Sequence, residues 1–185
     1  MGIPTLIKTQ TASDSASLSF VDGTSSVVLD GTYDEYMFVF TDIGPATDGA
    51  EFQFQVNATD DAGGGYDTSL ITSTYFESTL SEGDTATFQY HADNDLAQSA
   101  SFQNLVYDAG NGSDESIAGI LHLFNPASTT YVKHFYATTQ NYNSAPAAQT
   151  NHVGGYINDT TAIDEIQFKM SSGNFDGVIQ LYGIS

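Results

Sequence analysis

Apolar and polar residues alternate along much of this chain. Phe52, Phe54 and Val56 interleave with Glu51, Gln53, Gln55 and Asn57, a period of two that predicts a strand with one dry and one wet face. Ile166, Phe168 and Met170 interleave with Glu165, Gln167 and Lys169 in the same way. Tyr36–Phe40 is apolar without a break, and Ile117–Phe124 is interrupted only by Gly119 and His122. Those runs predict strands covered on both faces. Leu18–Val21, Val27–Leu29, Leu70–Phe76, Thr85–Tyr90, Gln103–Tyr107, Tyr131–Thr139, Val153–Ile157 and Val178–Ile184 complete the predicted strands. Turn chemistry separates them at Asp22-Gly23, Gly44-Pro45, Asp48-Gly49, Glu82-Gly83-Asp84 and Asn125-Pro126. Thr59–Gly65, with Gly63 to Gly65, reads as a flexible hairpin tip or loop, and Tyr142–Thr150 reads as a long loop. The one window that admits a short helix is Asp93–Phe102, around Leu96-Ala97.

Strands recurring with turns between them, and no sustained helical period, define an all-β chain. The architecture they predict is a single-domain antiparallel β-sandwich, jelly-roll-like. Irregular spacing and long crossing loops favour it over an up-and-down barrel. Residues 1–13 read as an N-terminal arm or edge strand and residues 14–185 as the sandwich domain. A chain of 185 residues can bury a core without staples, and the absence of cysteine excludes disulfide and thiolate chemistry. Met1–Gln10 does not read as a secretory leader, so the expectation is a protein that folds where it is made.

Charge narrows the function classes. There are 23 acidic residues against three lysines and no arginine, a net charge of −20. Such a surface repels phosphate backbones, which argues against nucleic-acid binding, and it lacks the arginine clamps used for phosphates and carboxylates. Its plain reading is a soluble surface that resists self-association; the sharper reading is a protein of saline water, or one docked on a basic partner.

Candidate chemistry is sparse. His122 and His134 fall on predicted neighbouring strands, where a cross-strand metal pair is conceivable; with His91 and His152, they read better as packed or hydrogen-bonded side chains. The acidic loops are Asp60-Asp61, Asp93-Asn94-Asp95 and the segment from Asp108 to Glu115. Calcium is bound by carboxylates and carbonyls in such loops, and the best candidate set is Asp108, Asn111 and Asp114. None of the loops has the twelve-residue calcium pattern, and solvated loops are the plainer reading. No nucleophile elbow or phosphate-binding glycine loop is present, so the expectation is a non-enzyme without cofactors. An acidic hydrolase using a carboxylate pair is the weakest alternative. Tyr142 and Tyr66, read as loop residues, are candidates for stacking against a sugar.

Several motifs resemble those of small virion proteins of tailed bacteriophages, especially from aquatic settings. They are Leu6-Ile7-Lys8-Thr9-Gln10-Thr11-Ala12-Ser13, Thr32-Tyr33-Asp34-Glu35-Tyr36, Gly119-Ile120-Leu121-His122-Leu123-Phe124-Asn125-Pro126, Thr130-Tyr131-Val132-Lys133-His134-Phe135-Tyr136 and Ala162–Gly173, with Leu181-Tyr182-Gly183 at the end. The resemblance spans nearly the whole chain. It implies a structural protein on the exterior of the virion, assembled in the host cytoplasm, that decorates or cements other capsid or tail proteins. A tail-tip or fibre module binding a receptor or glycan is the alternative. By analogy with such proteins a homo-oligomer is expected, a trimer first, with no nucleic acid or membrane as partner. No catalytic residues come with the resemblance.

Overall fold

The structure is a computed structural model that describes residues 2–59, 66 and 69–185. Twelve strands form among the described residues: β1 (Thr5–Ser15), β2 (Ser17–Val21), β3 (Glu35–Pro45), β4 (Ala50–Ala58), β5 (Ile71–Ser81), β6 (Ala86–Tyr90), β7 (Gln103–Ala109), β8 (Ile117–Phe124), β9 (Lys133–Tyr142), β10 (Ala147–Ile157), β11 (Ile163–Met170) and β12 (Phe175–Ile184). An eight-stranded sheet runs β1-β12-β3-β8-β9-β10-β5-β6 and a four-stranded sheet runs β2-β11-β4-β7. Every pairing is antiparallel. The chain is therefore a single-domain β-sandwich of jelly-roll-like form, with sheets of unequal width.

The alternating segments supply the core. Phe52, Phe54 and Val56 of β4 and Ile166 and Phe168 of β11 point inward against Tyr36, Phe38 and Phe40 of β3, and all are fully buried. Phe168 is the hub. Its ring centroid lies 5.3 Å from those of Phe38 and Phe40, 5.9 Å from Phe52, 6.2 Å from Phe20 and 6.5 Å from Phe54. Most of these pairs meet edge-on or tilted, the geometry that ring quadrupoles favour. Gly119 interrupts the β8 run for a steric reason: a Cβ there would sit 2.6 Å from the Thr138 carbonyl oxygen.

Four strands cannot cover eight. Inside β9, β10 and β5 the core is apolar around Phe135, Val153, Ile157 and Ile71 and turns polar toward Thr139, Asn141, Gln149, Asn151 and Glu77. Asn151 accepts from the Tyr75 hydroxyl at 2.8 Å and donates to Asn141 Oδ1 at 3.1 Å and Thr139 Oγ1 at 3.2 Å. Buried Glu77 accepts from Gln89 at 2.6 Å and Gln149 at 3.1 Å. A buried carboxylate is tolerated when amide donors replace its water. Lys133 is also fully buried and donates to the Asp159 carbonyl at 3.1 Å and to that of Thr161, tying the 159–161 loop to β9.

Several expectations are corrected. Val27–Leu29 is not a strand: Ser25 and Ser26 have φ of 52° and 69°, and Asp22 Oδ1 accepts the Leu29 amide at 2.8 Å, so a turn forms whose Val27 and Leu29 plug the core. No helix forms in Asp93–Phe102. Ser73 exchanges two hydrogen bonds of 2.9 Å with Leu96, and Ser99 bridges Ile71, pinning the segment to β5 as turns. Most of the predicted loop Tyr142–Thr150 is strand, because β9 ends at Tyr142 and β10 starts at Ala147. The apolar runs of β3 and β8 are covered on one face only: Met37 and Val39 are half-buried and Ile120 is 36% exposed. The predicted tip at Gly63–Gly65 and the Asp60-Asp61 pair lie outside the described residues.

The hub sets a first prediction. Phe168→Ala should lower unfolding free energy by about 3–5 kcal/mol through cavity formation, measured by urea denaturation. Phe88→Ala, at a side chain 74% exposed, should leave the transition within about 0.5 kcal/mol of the parent.

Candidate interaction face

The outer face of the eight-stranded sheet is the most distinctive surface. Across β8, β9, β10, β5 and β6 the outward positions are those in register with His122, Tyr136, Gly154, Thr74 and Phe76. Not one of them is Asp, Glu, Lys or Arg. The charged residues of these strands, Glu77 and Lys133, both point inward and are buried. In a chain with 23 acidic side chains, this leaves a broad uncharged field. Acidic residues gather instead at strand ends, in loops and on the small sheet, where Glu51 and Glu165 face outward.

Aromatic rings furnish this field. His122 stacks on Tyr136 with centroids 4.5 Å apart at 19°, and Phe124 lies 5.7 Å from Tyr136 at 28°. His122 is held from the other side by Glu35 of β3. Beside these rings are two shallow hollows. One, of about 420 Å³, is lined by Ile120, His122, Tyr136, Thr138 and Gln140; the other, of about 340 Å³, by Phe124, Tyr131 and His134. Farther along, Phe76 stacks on Phe88 at 6.4 Å and 13° and meets Tyr90 edge-on at 5.1 Å. Exposed aromatic and aliphatic side chains on a flat surface mark contact sites.

The residues singled out in the sequence scatter. His122 and His134 do lie on adjacent strands, but Tyr136, not His134, stands opposite His122. His134 meets Tyr156 at 6.3 Å, His152 approaches Thr138 at 3.3 Å, and His91 bonds Asn94 at 2.9 Å. Among the described residues, no group of three or more His, Asp or Glu side chains is placed to hold a metal ion. The calcium candidates separate. Asp108 accepts from the Ser144 hydroxyl at 2.6 Å, whereas Asn111 and Asp114 line a different hollow with Asp42, Glu115 and Asp176. Tyr142 closes β9 and donates to Glu82 at 3.2 Å. Tyr66 lies in a turn by Ser19 and Glu165. Tyr142 shares the outward side of β9 with Tyr136 and so stands at the end of the uncharged field, opposite Ala148; Tyr66 lies on none of its five strands. That field escapes a reading of single segments because its evenness appears only when five strands stand side by side.

Burial governs the shifted groups. The Tyr36 phenol is pushed up to about 12 by burial, with the Asp30 charge adding to it. Burial likewise drives Tyr75 up, helped by Glu77, and Tyr66 up to about 12, helped by Glu165. Asp164 is raised by burial and by neighbouring Glu165. Hydrogen bonds from Thr32 hold Asp30 below the usual carboxylate range.

No family model, curated protein or solved structure matches the chain.

The buried phenols predict an alkaline limb. In the unfolded chain a phenol ionises near pH 10, while Tyr36 in the folded chain holds its proton to about 12. The folded state therefore binds more protons between those values, and stability falls as pH rises through that window. Urea midpoints measured from pH 8 to 12 should drop, and Tyr36→Phe should flatten the drop.

Proposed function

We propose that the protein is a non-enzymatic structural component of the exterior of a tailed-phage virion, which grips neighbouring subunits through the outer face of its large sheet. The observation that carries this reading is the uncharged aromatic field on a chain of net charge −20. Apolar surface that stays exposed is retained where something covers it. A face without charges can be desolvated against a partner at little electrostatic cost, whereas each buried carboxylate would need its own cation or amide donors. The half-buried Met37 and Val39 fit the same reading, since β3 has the composition of a strand covered twice. The virion setting comes from the resemblance of the motifs.

A second reading rests on one observation. His122, Tyr136 and Phe124 present near-parallel rings beside a shallow hollow, an arrangement onto which a sugar ring can stack. In that case the chain is a glycan-binding module of a tail tip or fibre.

The readings separate in one experiment. Parent-phage particles lacking the protein are incubated with it and sedimented, and the same protein is run through gels containing bacterial surface polysaccharide. Under the preferred reading particles retain the protein, and Ile120→Asp weakens retention at least tenfold, the effect of about 1.4 kcal/mol of charge burial. Retardation by polysaccharide, lost in Tyr136→Ala, with no retention on particles, favours the glycan reading. Retention indifferent to both substitutions removes the face from either role.

A further inference from the structure

Strand β6 ends the large sheet with its outer edge open, and we propose that this edge pairs with β6 of a second copy about a two-fold axis. The backbone alternation supports it. Ser81 donates to the Thr85 carbonyl at 3.0 Å and His91 to that of Tyr75 at 2.9 Å. In an antiparallel ladder every second residue faces the neighbour, so Thr85, Thr87, Gln89 and His91 address β5. The N–H and C=O groups of Ala86, Phe88 and Tyr90 therefore point away from the sheet, and all three residues are exposed.

The other three edges are blunted. β1 is broken by register shifts at Leu6/Lys8 and Ala12/Ser15. On β2 the Ser19 carbonyl accepts from the Gln10 side chain at 2.7 Å. On β7 the Leu105 carbonyl accepts from the Thr139 hydroxyl at 2.7 Å, and Ala109 bridges to Asn143. Bulges and capped carbonyls are how sheets avoid edge-to-edge association. β6 has neither, and no charged side chain, proline or glycine within it.

A second copy fits this edge better than an unrelated strand because the sequence is complementary to itself when reversed. With Phe88 opposite the partner's Phe88, small Ala86 faces the partner's large Tyr90, and Thr87 faces the partner's Gln89. The free donors and acceptors of residues 86, 88 and 90 then meet in register. The Phe76–Phe88 stack continues into the partner's, and the uncharged field becomes one surface across both copies. Charge resists at the strand ends and beside Tyr90, whose hydroxyl donates to the Asp95 carboxylate. Asp84 comes opposite the partner's Ala92, next to its Asp93, so like charges approach there. Salt screens that repulsion, and the pair should tighten as ionic strength rises.

Sedimentation equilibrium of the full chain tests the proposal. The expected result is a monomer–dimer equilibrium whose Kd falls at least about tenfold between about 0.05 and about 0.5 M NaCl. Hydrogen exchange should show the amides of Ala86, Phe88 and Tyr90 gaining protection with protein concentration. Ala86→Pro removes a donor that β5 does not use, so it should abolish the dimer without disturbing the sheet. If its melting temperature drops, Phe88→Lys, a change at a 74% exposed side chain, carries the same test. A monomer at every salt concentration, a trimer, or a dimer indifferent to both substitutions overturns the proposal. It does not depend on what the sheet face grips: a dimer that ignores particles sinks the earlier reading and leaves this one standing.

Discussion

The Phe168 ring is the contact on which the sandwich depends. It touches rings from β2, β3 and β4, so it joins strands of both sheets at one point. A single hub of this kind fixes where the small sheet sits on the large one. Once β11 lies over β3, β7 at the edge of the small sheet reaches β9 and β10, and β6 at the end of the large sheet is left exposed along its length. The overhang follows from the placement of the hub.

The overhang is then stabilised by different chemistry. Around Asn151, Gln149 and Glu77 the amide side chains bond each other and the Tyr75 hydroxyl. Buried amide networks are costly when half-made and specifying when their bonds are made, and this one leaves Asn141 Nδ2 and Gln149 Oε1 without a partner among the described residues. Here they let β10 and β5 extend the sheet beyond the reach of the phenylalanine core. The outer face thereby gains width.

Much of the architecture is legible in alternation. Phe52, Phe54 and Val56, and again Ile166, Phe168 and Met170, point inward as their spacing predicts. Misreadings arose where side chains recruited the backbone. Asp22 captured Leu29, turning a predicted strand into a plug, and Ser73 captured Leu96, leaving no helix. The runs in β3 and β8 misled differently. Their pattern encodes two covered faces, and the folded chain covers one. Of the candidate calcium ligands, Asp108 accepts from Ser144, while Asn111 and Asp114 line a hollow whose lining does not include it.

The lysines have a consequence for handling the molecule. Lys8 bonds the Ser25 carbonyl at 2.9 Å, Lys133 is buried, and Lys169 sits 4.0 Å over the Phe102 ring. All three lie within paired strands, and the chain has no arginine. Trypsin-type proteases thus find their whole repertoire of cleavable bonds locked in ladders. Cleavage after Lys133 or Lys169 therefore reports on opening of the sandwich, whereas Lys8, at a register shift in edge strand β1, is reached by local fraying.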